Sequence, residues 1–262
     1  MPSKQVYLIL GAAGSGRREV LADLVSDCLD RQETVATFLS SGEAASEHDS
    51  KLGRLERWTW TAEHRVEIDL PEESSAVFFM VDGAHNPVDQ IEAFRAWLST
   101  SGAELARIFC IVDCQLVHRQ PPLLAWYDAC IHFADVVLLN HRQGVPNKWM
   151  SDFVDHYRSK HYPCLVEFVK DGKVKNPPLL LLPQARRMSL AFDEDAVILP
   201  EGVIFVDETE DEDEDEEDGE RSPDDGDELP TEDPYFQRRL GGRRVKDIPD
   251  ITKYLPPRGT SA

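Results

Sequence analysis

Short apolar runs alternate with amphipathic stretches along the first 170 residues. The first run, Gln5 to Leu10, is almost continuously apolar and ends at Gly11, as is typical of a buried strand in a parallel sheet. From Val20 to Leu29 the apolar positions have helical spacing. Because this alternation of strand and helix recurs, the pattern predicts an α/β fold with a mainly parallel sheet and helices on both faces.

The later elements follow the same rhythm. Buried strands are predicted at Ala76 to Asp82, Ile108 to Asp113, Val136 to Asn140 and near Cys164 to Val169. Helices are predicted near Pro87 to Leu98, Leu123 to Phe133 and Asn147 to Ser159.

Two parts of the chain fit this rhythm poorly. Between Ser40 and Pro71 the pattern weakens, and we predict an irregular insertion with a small hairpin. Leu179 to Leu182 and Ala196 to Val206 are predicted to be closing or edge strands.

The negative charge is concentrated near the C-terminal end. The formal net charge is −21, and Asp207 to Glu228, with sixteen acids and a single Arg, supplies −15 of it. Like charges repel and few apolar residues remain, so this part cannot offset its ordering entropy and is predicted to be disordered. We divide the chain into an α/β domain (1–206), an acidic disordered linker (207–233) and a C-terminal segment (234–262).

Two roles remain open for this tail. The acidic run is either a solvated tail or an interaction arm, and its charge disfavours binding of nucleic acid. Aromatic and basic residues return between Pro234 and Pro257, which predicts a short segment that binds a protein partner.

The cysteines and the N-terminal residues predict a cytoplasmic protein. The five cysteines are scattered through apolar runs and form no CxxC pair, as expected for reduced, buried thiols. Near the N-terminus a strand-like run leads directly into a glycine loop, so neither a signal peptide nor a membrane-spanning helix is expected.

The glycine loop, Gly11 to Arg18, is the clearest chemical motif. It reads GAAGSGRR, with the glycine spacing of a Walker A loop, directly after a buried strand and at the start of a helix. Backbone N–H groups of such a loop cradle phosphate, so Gly11, Gly14, Ser15 and Gly16 are candidate ligand-binding residues, and the fold is predicted to be P-loop NTPase-like. A glycine-rich turn that merely joins strand to helix is the alternative.

Two positions of the loop depart from the motif. Arg17 replaces the lysine that reaches the β- and γ-phosphates, and Arg18 replaces the Ser or Thr that holds Mg²⁺. A guanidinium donates to phosphate but cannot ligate a cation. Arg17 and Arg18 therefore predict phosphate binding without efficient hydrolysis.

Together with two later segments, this loop resembles those of CobW-like GTPases, over roughly residues 5 to 170. VDGAHNP, from Val81 to Pro87, resembles the family's segment after the third strand, a Glu-x-x-Gly stretch ending in Pro. Met80 occupies the Glu position, and Asp82 is the nearest carboxylate. Asp82 is either an outer magnesium partner or the cap of a turn.

The segment that ends at Asn140 resembles the family's approach to the guanine-recognising Asn-Lys-x-Asp motif. Asn140 is retained, but His141 and Gln143 replace the Lys and the Asp, so the preference for guanine is in doubt. The family's Cys-x-Cys-Cys metal motif should fall near residues 55 to 75, where the chain has no cysteine.

These departures favour one functional hypothesis over its alternative. The first is a degenerate CobW-like P-loop protein that binds GTP or ATP weakly, with little or no hydrolysis. No catalytic residue and no metal site is predicted. The alternative is a non-catalytic interaction protein that recruits a partner through its C-terminal segment.

Overall fold

A computed structural model describes residues 3–61, 65–193 and 232–255. Its centre is a seven-stranded parallel sheet in the order β3-β2-β4-β1-β5-β6-β7. The strands are β1 Gln5–Gly11, β2 Val35–Ser40, β3 Arg54–Trp58, β4 Ala76–Met80, β5 Glu104–Asp113, β6 Val136–Asn140 and β7 Leu165–Phe168. The helices are α1 Arg17–Asp30, α2 Pro87–Ser101, α3 Cys114–Arg119, α4 Leu124–Phe133, α5 Asn147–Arg158 and α6 Pro177–Leu181.

Each face of the sheet has its own core. Alternate side chains of β1 point to opposite faces, so that Tyr7 and Ile9 pack with α1 and α6, whereas Leu8 and Leu10 pack with α2 and α4. The predicted parallel sheet with helices on both faces is therefore confirmed.

The central position of β1 locates the glycine loop. β1 lies between β4 and β5, and all three strands run in the same direction. Their carboxyl ends consequently lie at one edge of the sheet, where open α/β sheets bind ligands. The segments after β1, β2, β4 and β6 meet there.

One local prediction was wrong, and another was confirmed only in part. The segment after Ser40 contributes β3, which pairs in parallel with β2 at the sheet edge and was not predicted as part of the sheet. Only an isolated antiparallel bridge, between Trp60 and Val66, follows within the described residues. Leu179 to Leu182 belongs largely to α6, because Asn176 caps this short helix through the N–H of Leu179. The predicted strand at 196–206 lies outside the described residues.

The described residues near the C-terminal end, 232–255, pack against the domain. From here on the name C-terminal segment refers to these residues, in place of the predicted range 234–262. Tyr235, Phe236 and Ile251 are buried in the core on the α2 and α4 face, and the ring of Phe236 stacks on Phe133 at 5.2 Å between centroids. The acidic residues 207–231 lie outside the described residues, and the predicted division into three parts stays a prediction.

Polar contacts hold the C-terminal segment in place at its start and near its middle. Asp233 accepts a hydrogen bond from Ser189 Oγ at 2.5 Å and lies 2.8 Å from His132 Nε2. The Arg244 guanidinium pairs with both Asp89 and Glu92 of α2, at 2.6 Å each. These aromatic and basic residues are thus engaged within the chain itself.

No helix among the described residues is long and apolar enough to cross a membrane.

Candidate phosphate site at the glycine loop

The backbone of the glycine loop requires glycine at its ends. Gly11 has φ +138°, and a Cβ there would lie 2.5 Å from the carbonyl oxygen of Ile111. Gly16 has φ +78°, and a Cβ there would lie 2.3 Å from Nδ2 of Asn140. Because any side chain would collide with β5 or with the end of β6, these glycines allow the loop to pack closely on its neighbours.

The start of α1 leaves hydrogen-bond donors available. Gly16 occupies the N-cap position in the left-handed conformation, and no side chain of the described residues caps the first turn. The first N–H groups of a helix have no partner within it, and the helix dipole makes this end positive. The beginning of α1 therefore favours an anion.

A second donor, the hydroxyl of Ser15, also favours an anion at this position. Ser15 is fully buried, and its Oγ has no hydrogen-bond partner among the described residues. This oxygen lies 3.2 Å from the position that a Cβ on Gly11 would occupy, so it is inside the loop. A buried hydroxyl without a partner is unfavourable by about 1–3 kcal/mol, which a bound acceptor would recover.

Arg17 extends across the inside of the same loop. Its Cδ lies 3.2 Å from the Cβ position of Gly11, and its Nη2 lies 2.6 Å from that of Gly83. Nη1 donates to the carbonyl oxygen of Val81 at 2.6 Å, and Nη2 pairs with the Glu43 carboxylate. Only 4% of Arg17 is exposed, so its charge is held inside the protein.

The remaining contacts define an ion-pair cluster of Arg17, Arg18, Arg57, Glu43 and Asp49. Arg18 donates to Glu43 at 2.7 Å and to Asp49 at 3.0 Å. Arg57 donates to the backbone oxygen of Glu43 at 2.9 Å and lies 3.5 Å from the Asp49 carboxylate. Both carboxylates come from the 41–49 loop after β2, which thus covers the mouth of the glycine loop.

Asp82 is placed beside the site as part of a turn. It is buried, and its carboxylate accepts from Ser40 Oγ at 3.1 Å and from the N–H of Ala84 at 2.9 Å. His85 Nδ1 lies 3.2 Å from it. These contacts fit the turn-capping interpretation. Met80 is buried within β4.

Asn140 joins the end of β6 to the glycine loop, because its Nδ2 donates to the carbonyl oxygen of Ser15 at 3.0 Å. Next to it, His141 Nδ1 lies 3.0 Å from the carboxylate of Asp113, which also caps α3. Hydrogen bonding to Asp113 raises the pKa of His141. The end of β6 therefore contacts the glycine loop through Asn140, and a role for Asn140 in ligand binding stays a prediction.

Four of the five cysteines are buried, and Cys164 is partly buried. Burial raises the pKa of Cys28 to about 12. The pKa of Cys114 is also raised to about 12, mainly by burial and to a smaller extent by the charge of the neighbouring Asp113. Among the described residues no three His, Cys, Asp or Glu side chains are grouped so that they could hold a metal ion.

Glu43 and Asp49 are the residues that sequence reasoning missed. They lie in a polar stretch without a recognisable motif, and nothing in it specifies which basic residues they meet. The one available signal was the pair of adjacent arginines, Arg17 and Arg18, in a loop that is expected to be buried. Buried guanidinium groups need carboxylate partners, so the pair indicates that acidic residues lie nearby.

Comparisons with known proteins give distant structural likenesses only. No family model matches the sequence, and no curated protein matches it significantly. The solved structures include the Zn(II)-bound YjiA GTPase from E. coli, at 15% identity and TM-score 0.44, with 70% of this chain and 62% of that chain covered. They also include the cell division protein FtsY from Thermotoga maritima, at 10% identity and TM-score 0.44, with 69% and 68% covered.

A third likeness is the hydrogenase maturation factor HypB from Archaeoglobus fulgidus, at 12% identity and TM-score 0.41, with 63% of this chain and 81% of that chain covered. The chain spans about 62% of the length of the YjiA structures. At such scores these likenesses do not assign a function. The chain's own topology, with a glycine loop between the central strand and the first helix, defines a P-loop NTPase-like fold.

Proposed function

We propose that this protein binds a phosphate-containing ligand, of the GTP or ATP class, at the glycine loop and does not hydrolyse it efficiently. The observation that carries the proposal is the buried Ser15 hydroxyl without a partner, beside the uncapped start of α1. Both present donors where the loop of a P-loop protein receives phosphate. Gly11, Gly14, Gly16 and Arg17 complete the site.

Two substitutions and the engagement of Asp82 support the lack of turnover. Arg18 takes the position of the Mg²⁺-binding hydroxyl, and a guanidinium has no lone pair to offer a cation. Met80 has no carboxylate, and that of Asp82 is committed to the turn it caps. Without a bound metal ion the charge that develops on the transferred phosphoryl group is poorly stabilised.

The base-recognising segment supports little discrimination between GTP and ATP. Gln143 stands where a carboxylate would select guanine, and its backbone oxygen accepts from Gln115 at 2.8 Å. Asn140 is engaged with the backbone of Ser15. We therefore expect similar affinities for the two nucleotides.

Calorimetric titration with GTP, ATP and their diphosphates, with and without Mg²⁺, tests the proposal. Ser15→Ala and Arg17→Ala should each weaken binding, whereas Arg158→Ala, which removes an exposed guanidinium on α5, should not. Binding that is equal in all four proteins, or absent at about 1 mM ligand, would refute the site. Rapid Mg²⁺-dependent hydrolysis would refute the lack of turnover.

A second candidate function is a non-catalytic interaction protein that recruits a partner through Pro234 to Pro257. It is favoured by the turn between Arg238 and Arg244, whose two arms form an isolated antiparallel bridge. Leu240 at the tip of the turn is fully exposed, between the exposed basic residues Arg239 and Arg243. An apolar tip flanked by arginines suits an acidic protein surface.

The double variant Leu240→Ser with Arg239→Glu tests this second candidate, because it alters the tip and leaves the buried residues of the segment in place. The measurement is affinity capture with the purified wild-type protein and with the variant. A protein that is captured by the wild type and not by the variant would support recruitment. Equal recovery by both proteins would count against it.

A further inference from the structure

The 41–49 loop places a carboxylate where the arginines of the glycine loop would meet a ligand. One oxygen of Glu43 pairs with Nη2 of Arg17, and the other pairs with Nη2 of Arg18 at 2.7 Å. A single carboxylate thereby bridges the two guanidinium groups, as an oxyanion of a phosphate would. The side chain of Glu43 is 12% exposed, so most of its surface is already taken by these contacts.

The loop that carries Glu43 is attached mainly by polar contacts. None of the residues from Ser41 to Asp49 is buried, in contrast to β2 before them, in which every residue is. Arg57 donates to the backbone oxygens of Ser40 and Glu43, and the carboxylate of Asp49 forms an ion pair with Arg18. Because the loop has no buried apolar side chain to lose, it can move at a smaller energetic cost than an apolar segment could, provided that its ion pairs are replaced by those of a ligand.

The surroundings still favour an anion when Glu43 leaves. The Glu43 carboxylate would no longer face the buried Arg17, which would keep its hydrogen bond to the Val81 carbonyl oxygen, and a buried charge without a counter-charge is strongly unfavourable. The donors at Ser15 and at the start of α1 lie on the same loop. A phosphate group that binds here would therefore replace the negative charge that Arg17 loses when Glu43 is displaced.

We infer that Glu43 is a built-in competitor that occupies the phosphate site through Arg17 and Arg18, and that a ligand with adjoining phosphate groups binds by displacing it together with the 41–49 loop. This inference rests on the proposed function, because it assigns a regulatory element to the same site. It adds that the loop has two arrangements, one for the free protein and one for the occupied site. The position of the loop would report occupancy to whatever contacts this edge of the sheet.

The decisive variant is Glu43→Gln, which keeps the shape of the side chain and removes its charge. Inorganic pyrophosphate is the probe, with GTP as a second titrant to separate recognition of the phosphates from recognition of the nucleoside. Calorimetry should show pyrophosphate binding at least about tenfold more tightly to Glu43→Gln than to the wild type, because the competing charge is gone. Glu47→Gln, in the same loop but highly exposed and without an arginine contact, is the matched control and should bind like the wild type.

Hydrogen exchange supplies a second, independent readout. In the wild-type protein, pyrophosphate should increase amide exchange at Glu43, whose N–H donates to Ser40 at the end of β2, and at Ser46 and Asp49, whose N–H groups are bonded within the loop. Exchange in β1 should not increase. Circular dichroism and thermal unfolding of Glu43→Gln establish that the variant is folded.

Each outcome discriminates. Tighter binding by Glu43→Gln, abolished in the double variant with Arg17→Ala, supports the competitor. Binding of equal strength by the wild type and Glu43→Gln, with no change of exchange in the loop, overturns the competitor while leaving phosphate binding in place. Absence of binding by both proteins overturns the competitor and the proposed site together.

Discussion

The 41–49 loop and the C-terminal segment both lie against the domain and both use arginine paired with two acids, but they are held in different ways. Arg18 pairs with Glu43 and Asp49 in a loop that buries none of its residues. Arg244 pairs with Asp89 and Glu92 in a segment that also buries aromatic side chains in the core.

The difference separates an exchangeable contact from a permanent one. Burial of an aromatic side chain contributes a few kilocalories per mole that an incoming anion cannot replace. An ion pair, in contrast, can be exchanged for another anion of suitable geometry at little net cost. The loop is thus suited to displacement by a ligand, and the C-terminal segment is suited to complete the fold. Three measurements test this distinction, and a fourth tests the polar contact at the end of β6.

Truncation of the principal aromatic of the C-terminal segment should have the largest effect. Phe236→Ala removes a buried ring that stacks on Phe133 and should lower the free energy of unfolding by about 3–5 kcal/mol. Urea unfolding followed by circular dichroism measures this change. Leu240→Ala, in the same segment but fully exposed, should change it by less than about 0.5 kcal/mol. Equal effects of the two variants would mean that the segment does not pack as described.

The polar contact at the start of the C-terminal segment should contribute less. Asp233→Asn weakens the contacts with His132 and Ser189 and should cost about 1–3 kcal/mol at neutral pH. Burial acts to raise the pKa of Asp233, but the hydrogen bonds from His132 and Ser189 outweigh it and hold this pKa below its ordinary value.

The pH dependence of this contribution has a definite sign. A lowered carboxyl pKa stabilises the fold above the unfolded-state value of about 3.9, and the stabilisation is lost as pH falls through the folded-state pKa. The difference in unfolding free energy between wild type and Asp233→Asn should therefore shrink below about pH 4. A difference that stays constant down to the acid transition would contradict the linkage.

Salt should distinguish the two regions directly. Raising NaCl from about 0.1 M to about 1 M shortens the Debye length from about 10 Å to about 3 Å. Amide exchange at Glu43 and Asp49 should then accelerate several-fold, because ion pairs hold their loop. Exchange at Phe236 and Gln237 should change little, because buried aromatic side chains hold this part of the C-terminal segment. Acceleration of equal size in both regions would remove the distinction.

The smallest effect concerns the pair formed by His141 and Asp113. Because hydrogen bonding to Asp113 raises the pKa of His141, the pair stabilises the fold fully below the unfolded-state pKa of about 6.5 and loses this contribution as pH rises through the folded-state pKa. His141 is about one third exposed, so the contribution should be below about 1 kcal/mol. NMR titration should give a lower pKa for His141 in Asp113→Asn, and an unchanged value would exclude the pair.

Much of the fold followed from local pattern, and the exceptions have physical causes. Strands β1, β5 and β6 were predictable because their residues are mostly apolar on both faces of the sheet, and both faces are buried. β3 was misassigned because an edge strand with polar residues has the alternation of a hairpin arm. Leu179 to Leu182 was misassigned because a short apolar run fits either a strand or a capped helix turn.

The sequence by itself determined the parallel sheet, the position of the glycine loop and the pair of arginines at its end, because these depend on the residue types at adjacent positions. Only the tertiary structure decided that Glu43 meets Arg17 and Arg18, and that the C-terminal segment belongs to the core next to Phe133. Both contacts join parts of the chain that are distant in sequence. Charge and hydrophobicity indicate that such residues need partners, but not which partners the folded backbone brings within reach.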